Sequence, residues 1–270
     1  MVGAADFSQL KELTMGMAFA LPRMLAIFLV LPLFNRQLIP GILRMGVACA
    51  LCIMLAPLLA PKAAHLQLGL GVLGIMVKEA MIGFIFGLFA AIPFWGLEAV
   101  GFIIDNQRGA SIASTVNPLT GHDSSPLGML FNQAFIVFFL VSGGFVLLLS
   151  AIYSSYLIWP VFDWFPNLRM DAAPWLLDLL DRLVKLAIVL AGPVLIAMFL
   201  AEMGLALISR FTPQLQVFFL AMPIKSALAM LILGLYAGTL FEYARAELAG
   251  YGELATHIDR LLGWGGVRER

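Results

Sequence analysis

The chain has 270 residues, of which 62% are hydrophobic and only 12% are charged, and its mean hydropathy is +0.98. Soluble domains carry about 25% charged and 45–50% apolar residues, so this composition excludes an ordinary soluble domain and indicates an all-α, multi-pass membrane protein. Sixteen basic and sixteen acidic residues cancel, which excludes a polybasic surface for nucleic acid.

Six apolar segments have the length of a membrane helix, for which about 20 residues are needed. The first is too long for the core of a signal peptide and lacks an A-x-A cleavage site, so we expect it to be retained. The fourth is long enough for a tilted span or for a break at Gly143-Gly144. In chain order, the segments are 15–34, 41–60, 67–97, 126–159, 186–209 and 214–241.

Proline occurs inside every one of these segments except the fourth. Each proline removes a backbone donor, so it is expected to bend or break its helix. In a membrane, that is tolerated only where neighbouring protein or a water-filled cavity satisfies the freed carbonyl groups. The pattern indicates kinked helices interlocked with other protein. The prolines are Pro22, Pro57, Pro93, Pro193 and Pro223.

Charged residues also fall within or at the ends of the apolar segments. A charge at the centre of a bilayer costs about 2.5–3.5 kcal/mol, so we expect these side chains to face protein, water or one another. They are Arg23, Lys78, Glu79, Glu98, Glu202 and Lys225.

Two regions are amphipathic. Between 162 and 185, apolar and charged residues alternate at helical spacing, which predicts a helix lying at an interface or against a partner. The tail 246–270 is charged and is expected to be cytoplasmic.

Cys49 and Cys52 form a C-x-x-C, but they lie in an apolar run with no further ligands nearby, which favours two small packed residues. No metal or cofactor is expected.

The polar stretch 105–128, "DNQRGASIASTVNPLTGHDSSPLG", interrupts this apolar chain. Asp105 and Arg108 are three residues apart, close enough to pair on a helix. Small residues and turn signals follow, and Ser125 before Pro126 predicts an N-cap with a helix starting at the proline. An exposed connecting loop is the simpler interpretation, but long unstructured loops are often functional. Adjacent residues such as His122 and Asp123 do not form a catalytic triad.

Two long stretches resemble a known family: "PFWGLEAVGFIIDNQRGASIASTVNPLTGHDSSPLG" and "AMFLAEMGLALISRFTPQLQVFFLAMPIKS". They are similar to the T subunit of the type III secretion export apparatus, the SctT/YscT family of bacterial injectisomes, which is related to flagellar FliR. The similarity runs from about 15 to 245. The form of "DNQRGA" and "SSPLG" favours the injectisome branch over the flagellar one.

The resemblance implies a non-enzymatic subunit of an export gate in the bacterial inner membrane, within the secretion-system basal body. Its expected partners are R and S subunits, a U-type switch subunit, inner rod or needle components and unfolded protein substrates. It implies one domain, 1–245, with an R-like part at about 1–185 and an S-like hairpin at 186–241. Much of the gate would lie outside the membrane plane, so six bilayer crossings would then be too many.

The resemblance also assigns roles to residues of the polar stretch and to the buried charges. The segment after Arg108 is expected to plug the closed pore, and the residues before it to form the plug base and to be candidates for lining the pore. The plug residues are Gly109, Ala110, Ser111, Ile112, Ala113, Ser114, Thr115, Val116, Asn117, Pro118, Leu119, Thr120 and Gly121. The base residues are Glu98, Asp105, Asn106, Gln107 and Arg108, and the buried packing residues are Lys78, Glu79, Glu202 and Lys225.

A second hypothesis is a secondary transporter of a small solute, in which the scattered glutamates and lysines form an ion path. Broken helices suit that class as well, but an internal inverted repeat is not evident. A membrane-embedded enzyme is a third class, for which a catalytic constellation is lacking. The chain has no GxxxxGK[ST] loop, so any energy for transport is expected to come from other components.

Overall fold

The structure is a computed structural model that describes residues 2–35, 39–63, 69–110, 125–164, 172–212 and 217–262. Within these ranges the regular secondary structure is entirely helical, which confirms the predicted all-α class. In chain order the helices are α1 (Val2–Val30), a short 3-10 turn (Pro32–Phe34), α2 (Gly41–Ala63), α3 (Leu70–Arg108), α4 (Pro126–Val141), α5 (Gly144–Ile158), α6 (Ala172–Phe211) and α7 (Val217–Leu262).

The described helices provide four to six candidate membrane spans, in agreement with the six apolar segments. Four are long and apolar enough on their own: Gln9–Val30, Leu70–Arg108, Leu180–Phe211 and Leu220–Ala246. The other two are bent pairs, Gly41–Ile53 with Ala56–Ala63 at 75° and α4 with α5 at 79°. Gly143, with φ +82°, lies at the second bend, which confirms the break that the sequence suggested there.

Four of the five prolines do not interrupt their helices. Pro22, Pro93, Pro193 and Pro223 each lie inside a continuous helix, and only Pro57 lies in a helix with a sharp bend. A helix that loses one backbone hydrogen bond keeps its others, and an apolar setting offers the freed backbone groups no better alternative than the helix. Four of the prolines are therefore tolerated without a break, and the bend expected at each of them stays a prediction.

The amphipathic region is not a separate element. α6 runs without interruption from Ala172 to Phe211, so the charged part of 162–185 and the apolar segment 186–209 form one helix. Charged residues lower the hydropathy of a segment, but they do not end its helix. The end of a helix requires a cap residue, a glycine or a proline. The expected division into an R-like part to about 185 and an S-like hairpin from 186 stays a prediction, and α6 runs through that position.

The chain divides into two compact units, which are described separately. One comprises Met1–Ala91, Gly144–Trp175 and Gly250–Arg270, and the other comprises Ile92–Gly143 and Leu176–Ala249. In the second unit, Phe94 of α3 packs against Phe135 and Phe139 of α4, with ring centroids 4.7 and 5.3 Å apart. These aromatic contacts hold α3 and α4 together.

A buried arginine organises the polar interior of the first unit. Arg23 of α1 and Glu79 of α3 are both 0% exposed, and the arginine Nε donates to a Glu79 carboxylate oxygen at 2.7 Å. The other guanidinium nitrogens donate to the backbone oxygens of Ser155 and Trp159, at 2.8 and 2.9 Å. Because these carbonyl groups lie at the C-terminal end of α5, the cation also complements the negative end of the helix dipole.

Lys78 extends this arrangement. Its Nζ lies 2.9 Å from the second Glu79 oxygen and donates to the backbone oxygens of Val161 and Asp163, at 2.6 and 2.9 Å. Two cations therefore share one buried carboxylate and the carbonyl groups that follow α5. This fulfils the expectation that the charges of the apolar segments face one another.

We expect the buried pair to be essential for the stability of this unit. Replacing Arg23 with methionine leaves the buried Glu79 with Lys78 alone, and the free energy of unfolding should fall by about 3–5 kcal/mol, as for other broken buried ion pairs. The measurement is denaturant unfolding of the detergent-purified protein.

The double variant Arg23→Met/Glu79→Met should recover part of this loss, because no buried carboxylate then lacks its arginine. Lys62→Met, at an exposed position of α2, is the matched control and should change the stability by about 0.5 kcal/mol or less. A loss below about 1 kcal/mol for Arg23→Met would contradict this role.

Candidate functional site

α3 ends immediately before the polar stretch, in a complete glycine cap. Gly109 has φ +82°, a backbone conformation that favours glycine. Its N–H donates to the Asn106 oxygen at 3.2 Å, and the Ala110 N–H donates to the Asp105 oxygen at 3.0 Å. This pair of hydrogen bonds is the Schellman motif, so the helix ends firmly at the base of the predicted plug.

Asp105 uses both of its carboxylate oxygens. One accepts from the Arg108 Nε at 2.6 Å, which confirms the pairing expected from their spacing. The other accepts from the Ser125 hydroxyl at 2.6 Å and from the Leu127 N–H at 2.9 Å. Asp105 is only 3% exposed, and these three donors compensate the removal of its charge from water.

α4 begins where the sequence predicted. Ser125 is the N-cap, its hydroxyl oxygen accepts from the Gly128 N–H at 2.9 Å, and Pro126 is the first helical residue. Asp105 adds an anion at the positive end of this helix and binds a second N–H group of the first turn. We call Asp105, Arg108, Ser125 and Leu127 the Asp105 junction.

Glycines allow the two helices of the junction to approach each other closely. A Cβ at Gly101 of α3 would overlap the backbone of Leu127 and Gly128 in α4. One turn before Gly101, Glu98 accepts from the Asn132 side-chain nitrogen at 2.9 Å. Backbone contact, a polar pair and the Phe94 contacts therefore hold α3 against α4 independently of Asp105.

The junction also reaches α7. The Arg108 Nη1 donates to the Ser226 hydroxyl at 3.2 Å, and Gly109 lies beside the Met222 side chain. Lys225, which immediately precedes Ser226, donates to Glu202 of α6 at 3.0 Å. Lys225 is buried, whereas the Glu202 side chain is 50% exposed.

The site residues expected from the sequence fall into three groups. In the first group, the plug base, Asp105 and Arg108 form the predicted ion pair, whereas Asn106 is exposed and Gln107 is half-buried. The lining of a pore by these residues remains a prediction, and plug residues 111–121 lie outside the described part of the chain. The four packing residues form the ion pairs Lys78–Glu79 and Lys225–Glu202.

Sequence reasoning missed the partners that are distant along the chain. Ser125 was expected only as a helix cap, and Leu127, Asn132 and Ser226 were not expected to contact the charged residues of α3. Helical periodicity reports neighbours three or four residues apart, whereas Asp105 and Ser125 are separated by 20 residues. The one local signal was the predicted N-cap at Ser125, because the N–H groups at a helix start favour a nearby carboxylate.

One cavity of the second unit is apolar. It has a volume of about 340 Å³ and is lined by residues of α3, α4 and α7, among them Leu97, Leu127, Phe135, Leu233 and Phe241. No group of three or more potential metal ligands occurs among the described residues.

Comparisons with known proteins agree with one another. Residues 14–250 match the family model "Bacterial export proteins, family 1". The chain is 43% identical over 242 residues to "Yop proteins translocation protein T" of Yersinia pestis, which covers 89% of this chain and 92% of that protein. It is 32% identical to "Surface presentation of antigens protein SpaR" of Salmonella typhimurium, over 86% of each chain. It is 29% identical to "Flagellar biosynthetic protein FliR" of Bacillus subtilis, over 83% of this chain and 86% of that one.

The close approach at Gly101 generates a prediction about stability. A valine at this position would push α4 away from α3 and weaken their contacts, so we expect Gly101→Val to reduce the amount of folded protein recovered from membranes to a small fraction of the wild-type yield. The measurement is the monodisperse fraction in size-exclusion chromatography after detergent extraction.

Gly204→Ala is the matched control. A Cβ at Gly204 of α6 would have no neighbour within 4 Å, and alanine favours a helix over glycine by about 1 kcal/mol. This variant should be recovered at least as well as the wild type. Equal recovery of Gly101→Val and Gly204→Ala would show that α3 and α4 do not need this contact.

Proposed function

Because this chain belongs to family 1 of the bacterial export proteins and thus has a role in protein export, we propose that it is the T subunit of a type III secretion export gate. It would assemble with R and S subunits in the bacterial inner membrane and form part of the entry through which unfolded proteins pass. The relationship to the Yersinia translocation protein, over nearly the full length of both chains, is the observation that carries this proposal.

The proposed role is structural and non-enzymatic. Within the described residues, the buried charges are engaged in ion pairs, for example Glu79 with Arg23 and Lys78 and Asp105 with Arg108. A U-type switch subunit and inner rod or needle components are the further proposed partners.

The transporter hypothesis gains no support from the ion pairs, because a glutamate fixed between two cations is poorly suited to release a transported ion.

We further propose that the segment from Gly109 to Gly121 plugs the closed pore. Its composition supports this role, because small side chains pack closely without anchoring deeply, and glycine and Asn-Pro permit movement. Its surroundings support it as well. The Schellman motif ends α3 and the Ser125 cap begins α4, so movement of the intervening segment need not unwind either helix.

The proposal predicts the effect of deleting residues 110–120. A gate that has lost its plug should conduct ions at rest, so the complex reconstituted with R and S subunits in liposomes should release potassium faster than the wild-type complex. The deletion should leave assembly intact, because the contacts between α3 and α4 lie outside the deleted residues.

Co-purification controls this measurement. The variant chain should be recovered with R and S subunits in the same ratio as the wild type, which shows that a leak does not arise from a damaged complex. An assembled deletion variant that is as tight as the wild type would identify the segment as a simple connector. Failure of the wild-type chain to co-purify with these subunits would contradict the gate assignment itself.

A further inference from the structure

Glu98 differs from the other two acidic residues of α3 in the kind of partner that it has. Glu79 contacts two cations and Asp105 contacts one. The Glu98 carboxyl group instead accepts from a neutral amide, the Asn132 Nδ2 of α4, at 2.9 Å. Among the described residues, no cation lies within ion-pair distance of Glu98. A negative charge on this half-buried side chain would therefore be poorly compensated.

The amide of Asn132 has an unsatisfied atom of its own. Its Oδ1 is buried and has no hydrogen-bond partner among the residues that the structure describes. A buried acceptor without a donor lowers stability. Because the oxygen and the nitrogen of an amide are bonded to the same carbon, this oxygen lies close to the carboxyl group that the nitrogen contacts. The missing donor is therefore needed beside Glu98.

We propose that Glu98 and Asn132 form a proton-binding site, in which Glu98 is a neutral carboxylic acid. Its hydroxyl donates to Asn132 Oδ1 while its other oxygen accepts from Asn132 Nδ2. An acid and an amide each carry one donor and one acceptor side by side, so they can form a closed pair of hydrogen bonds. The proton is taken up from water, and only the O–H bond is formed. The inference is independent of the proposed role in export.

The helices next to Glu98 on the α4 side offer no competing partner. On α3 itself, Asp105 and Arg108 contact each other. α4 contains no ionisable residue from Pro126 to Val141. Glu98 lies between Phe94 and Gly101, through which α3 packs on α4, so a proton held there removes a charge from the contact between the two helices.

The charged groups of the other two helices are engaged elsewhere or exposed. α6 reaches α3 where Leu186 lies against Gly96, and α7 lines the apolar cavity together with Leu97. Lys225 of α7 donates to Glu202 of α6. The other ionisable residues of these two helices near α3 are exposed, except for the half-buried Tyr236: Arg182, Lys185, Glu242, Tyr243 and Arg245.

Glutamine distinguishes the neutral acid from the carboxylate. Its side chain has the shape of the acid and also offers one acceptor oxygen beside a donor group, so Glu98→Gln retains both hydrogen bonds to Asn132. If Glu98 were charged, the same substitution would remove a hydrogen bond to an ion, which is stronger than one between neutral groups. The two states therefore predict opposite effects on stability.

The first test compares denaturant midpoints of the detergent-purified full-length chain. An exposed glutamate of the unfolded chain releases its proton above about pH 4.3, so a folded state that keeps this proton loses stability as the pH rises. Glu98→Gln should match the wild-type midpoint at about pH 5 and exceed it increasingly towards about pH 8. Glu242→Gln, at an exposed position of α7, is the matched control and should follow the wild type throughout.

The second test detects the proton directly. Protonated and ionised carboxyl groups absorb at different infrared frequencies, and ¹³C-glutamate labelling separates glutamate from aspartate. The wild-type protein should show a protonated glutamate band at neutral pH, and Glu98→Gln should lack it.

Three results would overturn the inference. They are the absence of a protonated glutamate band from the wild type, the persistence of that band in Glu98→Gln, and a lower midpoint for Glu98→Gln than for the wild type at neutral pH. Failure of Glu98→Gln to fold counts with the last of these, because glutamine provides the same pair of hydrogen bonds as the acid.

Discussion

The need to satisfy charges and helix ends away from water governs this structure. Helices leave four N–H groups and four C=O groups unpaired at their ends, and an apolar environment makes each of them costly. Three charged side chains of α1 and α3 meet that need. Arg23 and Lys78 bind carbonyl groups at and after the C-terminal end of α5, and Asp105 binds an N–H group at the start of α4. In both places the sign of the charge matches the helix dipole.

These contacts also resolve the apparent conflict between a highly apolar chain and its scattered charges. A buried charge lowers stability unless a partner and hydrogen bonds compensate it. Glu79 lies between two cations, and Asp105 has one cation and two further donors. Glu202 is different, because its carboxylate pairs with Lys225 but remains half exposed. The first two charges are thus parts of the interior, whereas the third lies where other protein can reach it.

The sequence was sufficient for the local features and insufficient for the distant ones. The all-α class, the six apolar segments, the break at Gly143 and the helix start after Ser125 follow from composition, hydropathy and cap residues, which act over a few positions. The Asp105–Arg108 pair follows from helical spacing. The partners of Arg23 lie up to 136 residues away, and no periodicity reports such separations. The continuous α6 was missed because hydropathy changes along a helix that nothing terminates.

The same distinction between local and distant contacts separates the helix ends of the site from the packing of its helices. Caps at the end of α3 and the start of α4 are local and are complete without the residues between them. The contacts that hold α3 to α4 are distant in sequence, and they involve glycine backbone and aromatic rings within the helices. The described links between the two helices therefore come from the helices themselves, and a change at either cap leaves the packing of the helix pair in place.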